Sequence, residues 1–386
     1  MNRMKAKRQT SRILAVLGFS ILFFCTYYLL ARLNNHFDYR AHKLLCNWES
    51  ISTWELTYPA WHIVVMLFTN IASLDIAVAL GTGVFNGITF LVCYYIMSES
   101  EIDAIQSFVF SLMIMMCGPL YFKTINPVYY LGQLTCTMWH NPTHIAVKGI
   151  SLASLYMIYK IMYGKEKLSV WFYTVAALIT TASIFFKPNY VQVLLPGVFI
   201  IYFIRVLTGK VSWKNLWTCF CVLFPSAIVL LGQVVALWGS NSDANTGSIT
   251  LGWFVVWSKY APHILGSILI SMAFPLSMIL LFGKRYCARE DLGLWVLWLT
   301  AFVQYAFLYE DGERMVAGNF GWGLQLMTFF VFYKYVIKLL QTRREIWKTN
   351  NKIDKLKCII CMLVFGAHTL CGVIYYFYIL QTGTYR

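Results

Sequence analysis

Charged residues are scarce in this sequence. Asp, Glu, Lys and Arg together make up 12% of the 386 residues, whereas ordinary soluble domains carry about 25%. Apolar residues make up 59%, and several apolar runs extend for ~20 residues, enough to cross a hydrocarbon core of roughly 30 Å. Too few polar side chains remain to cover a water-facing surface, so the sequence predicts an integral membrane protein.

The signatures of several enzyme classes are also missing. The sequence contains no Walker A motif, no G-x-G-x-x-G after a strand, no G-x-S-x-G and no H-E-x-x-H, which argues against an ATP-driven pump. The cysteines lie mostly inside apolar runs, where they are typical packing residues, and Cys358 and Cys361 open one such run. Cys46 and Cys136 lie in segments expected outside the membrane, where a disulfide between them is one alternative.

We predict an all-α polytopic membrane protein with about eleven transmembrane helices, forming a single transmembrane domain over residues 1–386. Segment 58–74 is apolar but short and opens with Tyr58-Pro59, which favours a re-entrant or interfacial helix. If this segment crossed the membrane, every later orientation would invert. The predicted spans are about 13–30, 76–97, 104–122, 145–163, 169–186, 190–207, 216–238, 263–283, 292–308, 320–340 and 358–380.

The distribution of charge predicts the orientation. The chain has a net charge of +15, and most basic residues fall in alternate loops, including residues 1–12 and 334–357. This pattern indicates a cytoplasmic N-terminus and does not form the continuous basic face that a nucleic-acid-binding protein needs. One cytoplasmic loop, 98–103 (SESEID), is acidic instead. The loops expected outside are 33–57, 123–144, 239–262 and 309–319.

The external loops hold the candidate functional residues. In the first, Asp38 is a candidate general base, a role worth roughly 10²–10⁴-fold in rate when the base is well positioned; the alternative is a solvated loop. In the run WHNPTH, Asn141 or Thr143 would cap a helix that begins at Pro142. The histidines of that run, His140 and His144, are spaced for a metal pair, but hydrogen bonding to a polar substrate is favoured because no third ligand is evident.

Two further external segments carry cations. Lys187, in a tight turn FKPN, would either extend from a helix end to the membrane surface or hold a phosphate as a point charge. Arg314, in YEDGERMVAGNFGWG, is suited to bidentate phosphate binding. The glycines that follow, Gly318, Gly321 and Gly323, would permit close backbone approach at the start of a helix.

The layout resembles the GT-C class of membrane glycosyltransferases. The resemblance rests on the cytoplasmic N-terminus, the acidic first external loop, the segment Tyr58-Pro59-Ala60-Trp61-His62, the run HNPTH and the late run EDGER…GNFGWG. It implies a GT-C-like fold in a bacterial plasma membrane and a polyprenyl-phosphate-linked sugar as donor. It further implies reaction on the extracytoplasmic face, with a glycan, lipid or protein of the cell surface as acceptor.

The resemblance also assigns roles to residues. Asp38 would be the catalytic base. The cations Arg314, Lys187 and Arg40 would hold the donor phosphate. The substrate-binding residues would be His140, Asn141, Glu310, Glu313 and Asn319. Many members of the class carry a pair of adjacent acids in the first loop, where this sequence has a lone Asp38; a bound divalent metal is therefore not indicated, and no cofactor is predicted.

Two other functional classes share this topology. A polysaccharide polymerase or ligase would be expected to carry a larger external loop with several Arg residues, whereas loop 239–262 contains only Lys259. A transporter or flippase for a lipid-linked sugar would show charges or broken helices near the membrane midplane, and ionisable residues within the predicted spans are sparse.

Overall fold

The protein is a bundle of helices with one small sheet. The structure is a computed structural model that describes residues 2–33, 37–52, 57–128, 132–164, 166–238, 248–283 and 289–384. Within these ranges the helices are α1 (Asn2–Leu33), α2 (Phe37–Leu44), α3 (Trp48–Ser52), α4 (Ala60–Phe68), α5 (Leu74–Glu99), α6 (Ala104–Met115), α7 (Pro142–Tyr163), α8 (Val170–Phe186), α9 (Asn189–Leu207), α10 (Trp213–Trp238), α11 (Ile264–Ser271), α12 (Ala273–Phe282), α13 (Arg289–Phe307), α14 (Gly321–Ile346) and α15 (Lys352–Thr382).

Seven helices in the described part of the chain are long and apolar enough to cross a membrane, which supports a multi-pass protein. They are α1, α5, α7, α9, α10, α14 and α15. An eighth span results if α11 and α12, which meet at a bend of 69°, are counted together. Each of the eleven predicted spans overlaps a helix or this bent pair, but α6, α8 and α13 are not among the seven, so the count of eleven stays a prediction.

The segment 58–74 contains a short helix. Helix α4 has nine residues, which at 1.5 Å per residue extends about 14 Å and cannot cross a core of roughly 30 Å. Its Trp61 is fully buried and donates a hydrogen bond to Thr82 of α5 (3.2 Å). This helix therefore packs against the bundle at one end, as a re-entrant or interfacial helix would.

Small residues let the first two long helices approach closely. A Cβ on Gly18 of α1 would lie 1.9 Å from the ring of Phe90, and a Cβ on Gly87 of α5 would lie 2.6 Å from the ring of Phe19. Each glycine thus receives an aromatic ring from the opposite helix. Such pairing of small and large residues is how helices associate where lipid removes the hydrophobic driving force.

The predicted span 104–122 is helical only as far as Met115, and an irregular segment follows. Residues 132–141 of that segment are all buried. Their backbone groups find side-chain partners: Leu134 N–H donates to Ser271 (3.1 Å), and Lys148 donates to the carbonyl of Cys136 (3.1 Å). Non-helical backbone is tolerated at membrane depth when protein groups satisfy it in this way.

The two ends of the bundle differ in composition. One end carries α2, α4 and the segment before α7; we call it the first-loop face. At the opposite end the acidic loop 98–103 packs against the basic end of α14, where Arg344 pairs with Glu101 (3.6 Å) and Gln341 donates to the carbonyl of Ser100 (3.2 Å). The acidic residues of this loop are thus partly neutralised by the basic segment beside them.

A two-stranded antiparallel sheet lies on the first-loop face. Strand β1 (Ile249–Leu251) pairs with β2 (Leu308–Glu310), with Ile249 opposite Glu310 and Leu251 opposite Leu308. Residues 239–247 of the predicted loop 239–262 lie outside the described residues. The sheet ties this loop to the segment that leads into α14.

The alternative of a disulfide between Cys46 and Cys136 is wrong. Both are buried free cysteines. The thiol of Cys46 donates to the carbonyl of His42 within its own loop (3.4 Å), while Cys136 lies in the buried segment before α7.

Candidate functional site

A cavity of about 750 Å³ opens on the first-loop face. Its walls come from α2, the segment before α7, the α8–α9 turn, the loop after β1 and the start of α14. The lining residues are Asp38, Ala41, His42, Leu45, Tyr58, His140, Asn141, Lys187, Lys259, Tyr260, Val316, Ala317, Asn319 and Trp322. Five residues predicted from the sequence to act in catalysis or binding are thus brought to one cavity: Asp38, His140, Asn141, Lys187 and Asn319.

Helix α2 positions the carboxylate of Asp38. Asp38 is half-buried in the first turn of this helix. The next residue, Tyr39, is buried and its hydroxyl donates to the carbonyl of Trp139 (2.9 Å). This contact holds α2 against the segment before α7 and fixes the carboxylate at the cavity wall.

Asn141 connects the carboxylate of Asp38 to a cation. It is the N-cap of α7, and its Oδ1 accepts from the backbone N–H of His144 (2.8 Å), with Pro142 at the first helical position. Its Nδ2 donates to Oδ2 of Asp38 (2.6 Å), and its Oδ1 also accepts from Nζ of Lys187 (3.2 Å). One amide group therefore caps a helix, orients the carboxylate and holds the ammonium group.

Lys187 is a buried cation with neutral partners. Its side chain is 5% exposed, and Nζ donates to Asn141 and to Oγ1 of Thr143 (3.2 Å each). Nζ also lies 4.6 Å from the ring centre of Trp322 and 5.9 Å from that of Tyr58, within the range of cation–π attraction. Burial lowers the pKa of Lys187 to about 8, while the charge of Asp38 opposes the shift, so the group stays mostly protonated near neutrality.

The histidines of the cavity are neutral near pH 7. Burial lowers the pKa of His140 to about 4; Asp38 opposes this shift and Lys187 adds to it. Burial, then Lys187 and His62, hold the pKa of His42 well below its ordinary value. Both rings therefore act as hydrogen-bonding and packing groups, and His140 packs against Trp322 with ring centres 5.8 Å apart.

Two further residues, Lys259 and Tyr260, line the cavity. Lys259 is exposed, and its Nζ lies 2.9 Å from the thioether sulfur of Met315. Tyr260 donates from its hydroxyl to the carbonyl of Val316 (2.6 Å). The sequence distinguishes Lys259 only as the sole basic residue of loop 239–262. No sequence pattern indicates that Tyr260 lines the cavity. The described lining thus holds one carboxylate and two ammonium groups.

The remaining predicted site residues have different positions. Asn319 donates to Glu310 (2.7 Å). Glu310 is buried in β2 and contacts the cavity residue Asn319, but it does not itself line the cavity. Arg40 is exposed and does not line the cavity. The side chains of Glu313 and Arg314 lie outside the described part of the structure, although their backbone belongs to a 3₁₀ helix at Gly312–Ala317 that borders the cavity.

No protein-family model matches this chain, and no curated protein has a similar sequence. A half-buried carboxylate beside a buried ammonium group suits proton abstraction from a hydroxyl next to a bound anion. Among the described residues, no three His, Cys, Asp or Glu side chains lie close enough together to hold a metal ion.

Proposed function

We propose that the protein is a GT-C-like membrane glycosyltransferase of the bacterial plasma membrane. It would move a sugar from a polyprenyl-phosphate donor to a glycan, lipid or protein acceptor on the extracytoplasmic face. One observation carries the proposal: Asp38 and Lys187 line the same cavity and are joined through the amide of Asn141. A general base would then lie next to a cation suited to a phosphate.

In the proposed reaction Asp38 takes the proton of an acceptor hydroxyl. The oxygen then attacks the anomeric carbon of the donor sugar, and the bond from that carbon to the phosphate oxygen breaks. The proton stays on Asp38, and polyprenyl phosphate leaves with the bonding electrons. The Asn141 amide holds one carboxylate oxygen, which leaves the other to accept the proton.

The cations would stabilise the leaving phosphate. Lys187 is charged below about pH 8 and has only neutral hydrogen-bond partners among the described residues. Lys259 lies at the rim without an acidic partner in the described part of the chain. A phosphate between them would gain charge-assisted hydrogen bonds in a site of low dielectric, where such contacts are strongest.

Neutral groups would bind the sugar. Asn319 and His140 line the cavity and carry hydrogen-bonding groups, and the Trp322 ring supplies an aromatic wall beside them. Glu310 would orient the Asn319 amide through its 2.7 Å contact. A screen of donors identifies which sugar these groups bind.

The test uses the purified protein in lipid with a panel of radiolabelled polyprenyl-phosphate sugars and a mixture of cell-envelope acceptors. We expect Asp38→Asn to lower sugar transfer by roughly 10²–10⁴-fold, the usual contribution of a general base. Asp75→Asn is the matched control, because Asp75 is exposed on the same face, pairs with Lys43 (2.8 Å) and does not line the cavity.

The outcomes separate the functional classes. Transfer by wild type and Asp75→Asn, with loss in Asp38→Asn, supports a glycosyltransferase. Wild-type rates in Asp38→Asn would remove the proposed base. Movement of an intact donor across a vesicle membrane, with no donor consumed, would indicate a transporter instead.

A further inference from the structure

Strand β1 presents an apolar row to the surroundings. Leu251 is 76% exposed, Trp253 is 65% exposed and Ile249 is 46% exposed, whereas the intervening Thr250 is half-buried. Ile249 and Leu251, two residues apart in β1, point to one side of the strand, and Trp253 follows in the turn after it. Residues 248–257 (SITLGWFVVW) include no charged residue. The charged residue opposite Ile249 in β2, Glu310, is buried and accepts a hydrogen bond from Asn319.

The same apolar surface continues along α13. Its exposed residues Leu292, Leu299, Val303 and Phe307 are spaced by seven, four and four positions, which places them on one stripe of the helix. Phe307 ends the stripe, and strand β2 begins at the next residue. The rings of Phe307 and Trp253 have centres only 4.6 Å apart, so the stripe of α13 and the row on β1 form one surface.

The surface of Ile249, Leu251 and Trp253, which we call the sheet face, lies beside an element that lines the cavity. The backbone N–H of Asp311 donates to the carbonyl of Ser248 (3.0 Å), which ties the strand to the 3₁₀ helix at Gly312–Ala317. In that helix Val316 is 57% exposed and also lines the cavity. An apolar residue is thus shared between the cavity wall and the exposed surface.

We propose that the sheet face lies in the lipid of the leaflet on the first-loop side, and that the cavity opens at the depth of the lipid headgroups. Three observations point to lipid as the occupant. The sheet face continues the stripe of α13, a helix packed between the candidate spans α9 and α14, and its three exposed side chains are uncharged. Trp253, an amphipathic ring, lies at the end of that stripe, and such rings favour the membrane interface. A lipid-linked substrate would then enter the cavity laterally, from within the leaflet.

The test measures depth and does not depend on the proposed reaction. Leu251→Cys would be labelled with an environment-sensitive fluorophore in nanodiscs, with the unsubstituted protein as background. Quenching would be compared for lipids that carry a spin label near the headgroup and for aqueous iodide. Glu49→Cys, at an exposed polar position on the same face, is the control, and Ile249→Cys is a second probe if the first variant does not fold.

We expect the probe at Leu251 to be quenched at least threefold more by spin-labelled lipid than by iodide, with the opposite order at Glu49. Stronger quenching by iodide at both positions would overturn the proposal. Protection of the Leu251 probe from both quenchers would also overturn it, because a second protein copy would then cover the sheet face.

Discussion

At the scale of single residues, the buried charge of Lys187 is a costly feature of the cavity. Removing an ammonium group from water is unfavourable unless other groups replace the solvent. Here an amide oxygen, a hydroxyl and two aromatic faces do so, at 3.2 Å for the two oxygens. No described carboxylate forms an ion pair with Lys187, which leaves its charge available to an anion. The arrangement suits a residue kept charged for a ligand.

The depressed pKa of Lys187 predicts a pH dependence. Because the ammonium group loses its proton as pH rises through about 8, kcat/KM for a phosphate-containing donor should fall above that pH. In Lys187→Arg the side chain stays charged. The fall in kcat/KM above about pH 8, the alkaline limb of the pH profile, should therefore disappear in this variant even if its maximum rate is lower. Initial rates from pH 6.5 to about 9.5 check the prediction; an identical limb in both proteins would assign it to another group.

Asn141 shows what a sequence can and cannot reveal about a residue. The order Asn-Pro before an apolar run predicts a helix cap, and the structure confirms the cap. Binding of substrate by Asn141 stays a prediction, and both ends of its amide contact protein groups, Asp38 and Lys187. Residue type and spacing identify a local cap, but they do not show which distant side chains fold against it.

At the scale of elements, the apolar runs locate the helices well, since a run of about 20 apolar residues has few alternatives in a membrane. The end of α6 could not be predicted, because the following residues satisfy their polar groups through distant partners. Gly118, for example, donates from its N–H to the carbonyl of His368 (3.0 Å), and its own carbonyl lies 2.8 Å from the His368 ring nitrogen. Hydropathy alone does not reveal such contacts.

The contact between this segment and α15 predicts the effect of a glycine substitution. A Cβ on Gly372 would lie 1.7 Å from the carbonyl oxygen of Met116, a backbone atom that has no rotamer to change. Gly372→Ala should therefore destabilise the protein by about 1–3 kcal/mol, the usual cost of overpacking, and lower the thermal unfolding midpoint. Gly366→Ala, in the same helix with no atom within 4 Å of its Cβ position, should leave the midpoint unchanged or raise it. Equal effects of the two substitutions would show that the segment does not pack closely on α15.

At the scale of the whole molecule, the fold groups the loops into two faces, and charge predicts which face is cytoplasmic. The first-loop face holds the cavity, while the basic residues Arg343 and Arg344 lie at the opposite end, in the last turn of α14. The positive-inside rule predicts that this basic end lies in the cytoplasm.

Labelling of single cysteines in cells tests the orientation. Glu49→Cys on the first-loop face should react with a membrane-impermeant maleimide in intact cells. Lys352→Cys, exposed at the start of α15, should react only after permeabilisation. The unsubstituted protein gives the background from its own, mostly buried, cysteines. The reverse pattern would place the cavity in the cytoplasm and remove the rationale for an external donor.

The buried segment before α7 has a consequence for biosynthesis. Its Thr135 N–H donates to the side chain of Gln325, and Gln325 in turn donates to the carbonyl of Gln133 (2.9 Å). Gln325 is made 190 residues after Thr135, which is about 10 to 40 s later at usual rates of translation. During that interval the segment that carries His140 and Asn141 has no permanent partner for these backbone groups. We therefore expect the cavity to be completed only after α14 has been inserted.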